Sequence, residues 1–135
     1  MRGGMIMGLF STFFDTNLPS NMHKASDKIQ FDKCNSDFSD MFNNNPTFHD
    51  GVMDIVDEMS KKVNREHPEY DFSSKIFIDE VNKGHTPPGF TWHHDDKPGH
   101  MQLVEEETHR KTHHTGGRSK WGGGADARRH GKIDD

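Results

Sequence analysis

The stretch from residue 90 to residue 104 constrains the fold of this chain more than any other. Phe90–His94 (FTWHH) has the aromatic and β-branched content of a strand. Asp95–Gly99 (DDKPG) is rich in residues that favour turns. Met101–Val104 (MQLV) supplies an apolar return strand. The sequence therefore predicts a β-hairpin whose first strand ends in two adjacent histidines.

Histidines concentrate around and after this hairpin, with eight of the eleven lying between His85 and His130. The acidic run Glu105–Glu107 suits the start of a helix, because the helix dipole favours negative charge there. We expect that helix to bear His109 and to end near His113 and His114. A hairpin packed on such a helix would bring together four histidines that are distant in sequence: His93, His94, His109 and His114.

Apolar residues at helical spacing predict three helices before the hairpin. The first is capped by Ser26-Asp27 and ends in the run Asn43–Pro46, since proline disfavours helical geometry in the residue before it. The second runs from about Phe48 to Arg65 along one apolar stripe. The third is shorter, is capped by Ser73-Ser74 and is followed by Gly84.

Composition limits the size of the core and the kinds of site. Only 29% of the 135 residues are apolar, so a bound metal could contribute to the folding free energy. The single cysteine, Cys34, excludes an internal disulfide framework and a cysteine-rich zinc site. No apolar run approaches the roughly 20 residues that a membrane-spanning helix needs.

The charges are unevenly distributed. Residues 1–84 contain 14 acidic and 9 basic side chains, whereas residues 85–135 contain 8 of each. The stretch from Arg110 to Lys132 has seven basic residues and one acidic residue, Asp126. A basic segment beside a histidine cluster is suited to contact with phosphate. Its four candidate contacts, each of which could equally be a solvated surface charge, are Arg110, Lys111, Arg118 and Lys120.

The histidine-rich segment resembles a known family. The sequence GFTWHHDDKPGHMQLVEEETHRKTHHTGGRSKWGGG is similar to the WHH-type nucleases of the HNH/endonuclease VII superfamily, over about residues 84–124. The resemblance implies an α+β fold, with a helical N-terminal part packed on a C-terminal ββα-metal (His-Me finger) motif at about residues 88–117. We expect residues 13–124 to form a single nuclease domain. Residues 1–12 would be a linker or a start within a longer reading frame, and residues 125–135 a basic, potentially disordered tail.

Site roles follow by position in the family motif. The resemblance implies that His93 and His94 are the catalytic pair, with His93 binding metal and His94 acting as the general base. It implies that His109 and His114 are the metal ligands on the helix. His113 departs from the family pattern and is the weaker alternative to His114, although His109 and His113 share a helical face.

The resemblance thus predicts a metal-dependent endonuclease that cuts DNA with little sequence specificity. It also implies an interbacterial toxin domain that acts in the target-cell cytoplasm and is neutralised by a cognate immunity protein. We expect one divalent ion. Zn²⁺ is favoured over Mg²⁺ because histidine ligands suit transition metals, and Mg²⁺, Mn²⁺ and Ni²⁺ are the alternatives. No small-molecule cofactor is expected. Two alternatives remain open: a ribonuclease toxin with the same site, and a non-catalytic zinc module that binds nucleic acid or protein.

Overall fold

A computed structural model describes residues 6–7, 10–70, 72–106 and 117–134. Its strands are β1 (Ile6–Met7), β2 (Phe10–Asn17), β3 (Phe90–His94) and β4 (His100–Glu105). Its helices are α1 (Asp27–Asn44), α2 (Pro46–Glu66), α3 (Ser74–Asn82), α4 (Gly117–Trp121) and α5 (Gly124–His130). The fold is therefore α+β, as the sequence predicts.

The strands form an antiparallel sheet in the order β1-β2-β4-β3. The predicted hairpin is confirmed as β3–β4, with Trp92 opposite Leu103 and His94 opposite Met101. Sequence reasoning did not predict β2, which pairs along β4 from Thr12 to Asn17 with an irregular register near its start. The hairpin is thus flanked by a strand that lies more than 80 residues earlier in the chain.

Clustering of close contacts divides the chain into two compact units. The first comprises Met1–Cys34 with Gly89–Asp135, and the second comprises Asn35–Pro88, so the division falls within α1. In the first unit, the sheet contributes buried Trp92, Leu103 and Met101. Phe13 stacks on Phe90 with ring centroids 4.1 Å apart. This unit contains the whole predicted hairpin.

The second unit is helical, and its core is built from phenylalanine and valine side chains. Phe38, Phe42 and Phe77 are fully buried, together with Val56 and Val81. These are the apolar stripes that the sequence predicts, and burying them offsets the entropy cost of ordering the helices.

The helix ends follow local capping chemistry. The Asn45 side chain accepts a hydrogen bond from the Phe48 backbone N–H at 3.0 Å, with Pro46 in the first turn. The Ser73 hydroxyl accepts from the Ile76 N–H at 3.2 Å. The three predicted helices before the hairpin are confirmed, with α2 beginning two residues earlier than expected.

The helix that would complete a ββα-metal motif falls on residues 107–116, which lie outside the described residues. Helix α5 occupies the segment predicted as a basic tail. The predicted division into residues 1–12, 13–124 and 125–135 stays a prediction. Among the helices described, none combines the length and apolarity required to cross a bilayer.

Candidate active site

The two adjacent histidines lie at the end of β3, and both are buried, each with 6% of its surface exposed. Successive side chains of a strand point to opposite faces of the sheet. His93 therefore shares a face with its cross-strand neighbour Gln102, and His94 shares the other face with Met101. The hairpin thus places the two imidazoles on opposite sides of the sheet, which allows them different roles.

His94 is held by α1 and by the C-terminal segment of its own compact unit. Its Nε2 lies 2.7 Å from Oε1 of Gln30 in a buried hydrogen bond. The ring lies 5.9 Å from the Phe31 ring and 5.5 Å from the Trp121 ring, measured between centroids. The position of this imidazole is therefore set by residues from two parts of the sequence that are distant from its own strand.

Gln30 is the residue of this site that sequence reasoning missed. It is fully buried in α1, and its amide nitrogen donates to the backbone carbonyls of Met22 at 3.0 Å and His23 at 2.9 Å. A glutamine between apolar residues of a predicted helix does not by itself indicate a role. Only the structure places its side chain against His94.

Trp121 lies near the end of the family-like segment, and its ring packs near that of His94. Its indole N–H donates to the backbone carbonyl of Asp95 at 2.6 Å. Its ring also lies 5.1 Å from that of His23. Trp121 thereby ties α4 to the residue that directly follows His94.

His100 forms a charged cluster with two carboxylates at the start of β4. Its Nδ1 lies 3.0 Å from Asp95 and its Nε2 lies 2.9 Å from Asp15. Burial acts to lower the pKa of His100, but the hydrogen bonds to Asp95 and Asp15 outweigh it, so the pKa is raised. Burial likewise acts to raise the pKa of Asp95, yet hydrogen bonds from His100 and the Lys97 backbone lower it overall. The cluster links β2 to the hairpin turn.

Two of the predicted phosphate contacts are described, and their surroundings differ. Arg118 is buried, with 3% of its surface exposed, and its guanidinium donates to the backbone carbonyls of His23 and Ala25. Its burial and these bonds favour a structural role for Arg118, and its contact with phosphate stays a prediction. Lys120 is exposed, and its Nζ lies 3.0 Å from a carboxylate oxygen of Asp96.

The predicted metal ligands divide between described residues and residues outside the described part of the chain. His109, His113 and His114 lie outside the described residues, as do Arg110 and Lys111. Within the described part of the chain, no three or more His, Cys, Asp or Glu side chains are grouped so that they could hold a metal ion. His93 is the one predicted ligand whose position is described.

Comparison with known families identifies the class of this site. Residues 82–124 match a model of nucleases of the HNH/ENDO VII superfamily. The matching family model is WHH, described by its conserved WHH motif, which corresponds here to Trp92-His93-His94. The predicted resemblance is thus confirmed over this segment, about a third of the chain, and it supports a nuclease. No curated protein and no solved structure matches the chain.

Proposed function

We propose that the protein is a metal-dependent endonuclease that hydrolyses the phosphodiester bonds of DNA with little sequence specificity. One observation carries the proposal: within the segment that matches a nuclease family, two adjacent histidines end a hairpin strand, and one is held by a buried hydrogen bond. A catalytic base must be oriented before its substrate arrives, because disorder in its geometry reduces the rate.

In this proposal His94 is the general base. Its neutral imidazole takes a proton from water while the water oxygen attacks phosphorus. The bond from phosphorus to the leaving oxygen breaks, and that oxygen takes a proton from solvent. The His94 imidazolium then returns its own proton to solvent. Atoms and charge balance without any further reactant.

His93 would hold the divalent ion, together with His109 and with His114 or, as the weaker alternative, His113. The buried imidazole of His93 fits a transition metal, since neutral histidine nitrogens suit Zn²⁺ and Ni²⁺ better than Mg²⁺. When bound, such an ion polarises a phosphoryl oxygen and stabilises the leaving oxygen.

The proposed substrate contacts are basic side chains that bind the DNA backbone. Lys120 is the exposed candidate near the hairpin turn, and Arg110 and Lys111 are the others. Contacts to phosphate do not distinguish one base from another. An enzyme that holds DNA through such contacts therefore cuts with little sequence preference. We further propose that the domain acts as an interbacterial toxin in the target-cell cytoplasm and is blocked by a cognate immunity protein in the cell that makes it.

The test is plasmid cleavage by the full chain with added Zn²⁺, Mg²⁺, Mn²⁺ or Ni²⁺, or with a chelator, and with an RNA substrate in parallel. We expect metal-dependent nicking that His94→Ala reduces by at least about 100-fold, the usual contribution of a general base. His93→Ala should instead lower metal affinity, which equilibrium dialysis measures. Circular dichroism checks that both variants fold.

His85→Ala is the matched control, because His85 lies within the same family segment but is exposed, with its Nδ1 3.1 Å from a carboxylate oxygen of Glu80. It should cut as the wild type does. Cleavage of RNA alone would reassign the substrate. Tight binding of one Zn²⁺ without cleavage of either nucleic acid, in any metal, would overturn the catalytic proposal in favour of a structural zinc site.

A further inference from the structure

We propose that Gln30 is the positioning residue for His94 and that it selects the imidazole tautomer with the proton on Nε2 and the lone pair on Nδ1. The inference rests on the proposed function and extends the site beyond the family segment. Gln30 belongs to α1, more than 50 residues before residue 82, where the family match begins.

The orientation of the Gln30 amide follows from its surroundings. Two backbone carbonyl oxygens, from Met22 and His23, lie 3.0 and 2.9 Å from one end of the amide. A carbonyl oxygen accepts hydrogen bonds and cannot donate them, so that end must be the NH₂ group. The reversed amide would place its own oxygen against two carbonyl oxygens. This is unfavourable because the Gln30 side chain is fully buried and its oxygen would lack a donor there.

The proton position on His94 follows in turn. Both N–H bonds of the Gln30 amide are used on the two carbonyls, and the other end of the amide is its oxygen, Oε1. The Nε2 atom of His94 lies 2.7 Å from Oε1 and must therefore donate. In a neutral imidazole a proton on Nε2 leaves the lone pair on Nδ1.

This arrangement specifies which atom of His94 acts on water. Nδ1 is the nitrogen that accepts the proton, and Nε2 keeps its bond to Gln30 before and after the transfer. The rings of Phe31 and Trp121 further restrict rotation of the imidazole. Gln30 need not touch the substrate, because it acts through the tautomer and direction of His94.

The first arm of the test is nitrogen NMR of the full chain, with ¹⁵N-labelled histidine, in alkaline buffer where the imidazoles are neutral. Long-range ¹H–¹⁵N correlations distinguish the two tautomers, and loss of the signals in His94→Ala assigns them. We expect the wild type to show His94 protonated on Nε2. A His94 protonated on Nδ1 would overturn the proposal whether or not the protein cuts DNA.

The second arm compares Gln30→Met with Asn35→Leu. Methionine matches the length of glutamine, but its thioether accepts only weak hydrogen bonds and cannot donate to the carbonyls of Met22 and His23. Asn35 is a second buried amide of α1, with 4% exposure, and it donates to Thr86 Oγ1 at 3.2 Å, so its substitution removes an amide hydrogen bond from the same helix and leaves the partner of His94 in place. Urea unfolding measures the stability that each variant loses.

We expect Gln30→Met to mix the His94 tautomers and to lower kcat by about 10- to 100-fold, as for other residues that orient a histidine, with little change in KM. Asn35→Leu should keep the single tautomer and the kcat of the wild type. An unchanged tautomer and kcat in Gln30→Met would show that Gln30 does not position His94. If the wild type cuts nothing, the proposed function fails, and the NMR arm still decides the tautomer.

Discussion

Gly99 ends the hairpin turn and its carbonyl accepts a hydrogen bond from the Leu18 N–H. We predict that Gly99→Ala destabilises the fold through two separate effects. Its φ angle is +78°, in the left-handed region that non-glycine residues rarely adopt. An added Cβ would lie 2.5 Å from Nε2 of His23 and 2.9 Å from the backbone oxygen of Leu18.

Neither neighbour can move away cheaply. The Leu18 N–H donates to the Gly99 carbonyl at 2.8 Å, so a shift of this backbone would break that bond. The His23 Nε2 lies 3.2 Å from the Leu18 oxygen, and its ring packs on Trp121. The left-handed conformation costs about 1–2 kcal/mol, and crowding of a packed site adds about 1–3 kcal/mol.

The expected loss for Gly99→Ala is therefore roughly 2–5 kcal/mol in the free energy of unfolding, measured by urea denaturation. Gly124→Ala is the control, because Gly124 belongs to the same compact unit and has φ +69°, but nothing lies within 4 Å of its added Cβ. It should lose only the conformational part, about 1–2 kcal/mol. Equal losses in the two variants would refute the argument from close approach.

Three further perturbations test the surroundings of the site. His100 has a pKa raised above 6.5 by its bonds to Asp95 and Asp15 against the opposing effect of burial. The stabilisation that His100 provides is therefore complete below its pKa in the unfolded state and is lost as the pH rises through its pKa in the folded state. Urea unfolding should show that the free energy of unfolding declines over this pH range in the wild type but not in His100→Gln. Trp121→Phe removes the hydrogen bond to the Asp95 carbonyl and should cost about 1 kcal/mol in the same assay. Leu103→Ala removes most of a fully buried side chain of β4 and should lower the free energy of unfolding by about 2–5 kcal/mol. A decrease of less than about 1 kcal/mol would mean that the sheet is not packed as described.

Local patterns were sufficient to predict α1, α2, α3 and the hairpin. The N-cap residues Asn45 and Ser73 act within three residues of themselves, and the apolar stripes repeat within single helices. The hairpin depends on a five-residue turn between two short strands. Such interactions join residues that are near in sequence, so their signals can be recognised in the chain alone.

The sheet partner of the hairpin could not be predicted in this way. Strand β2 pairs with β4 across more than 80 residues, and its register shifts between Thr12 and Phe14. Strand pairing over such a distance depends on which edge is available after the chain has folded. The surroundings of Arg118 are similar: the sequence contains a basic residue in a basic segment, whereas the fold buries it against two carbonyls.

By itself, the sequence determined the family that the C-terminal segment resembles, because Trp92-His93-His94 and the histidines and glycines after it form a pattern specific enough to indicate a nuclease family. Only the tertiary structure decided how His94 is held. Its partner Gln30 comes from a helix 64 residues earlier. A histidine's tautomer and direction depend on which atoms surround its ring, and those atoms come together only when distant parts of the chain pack.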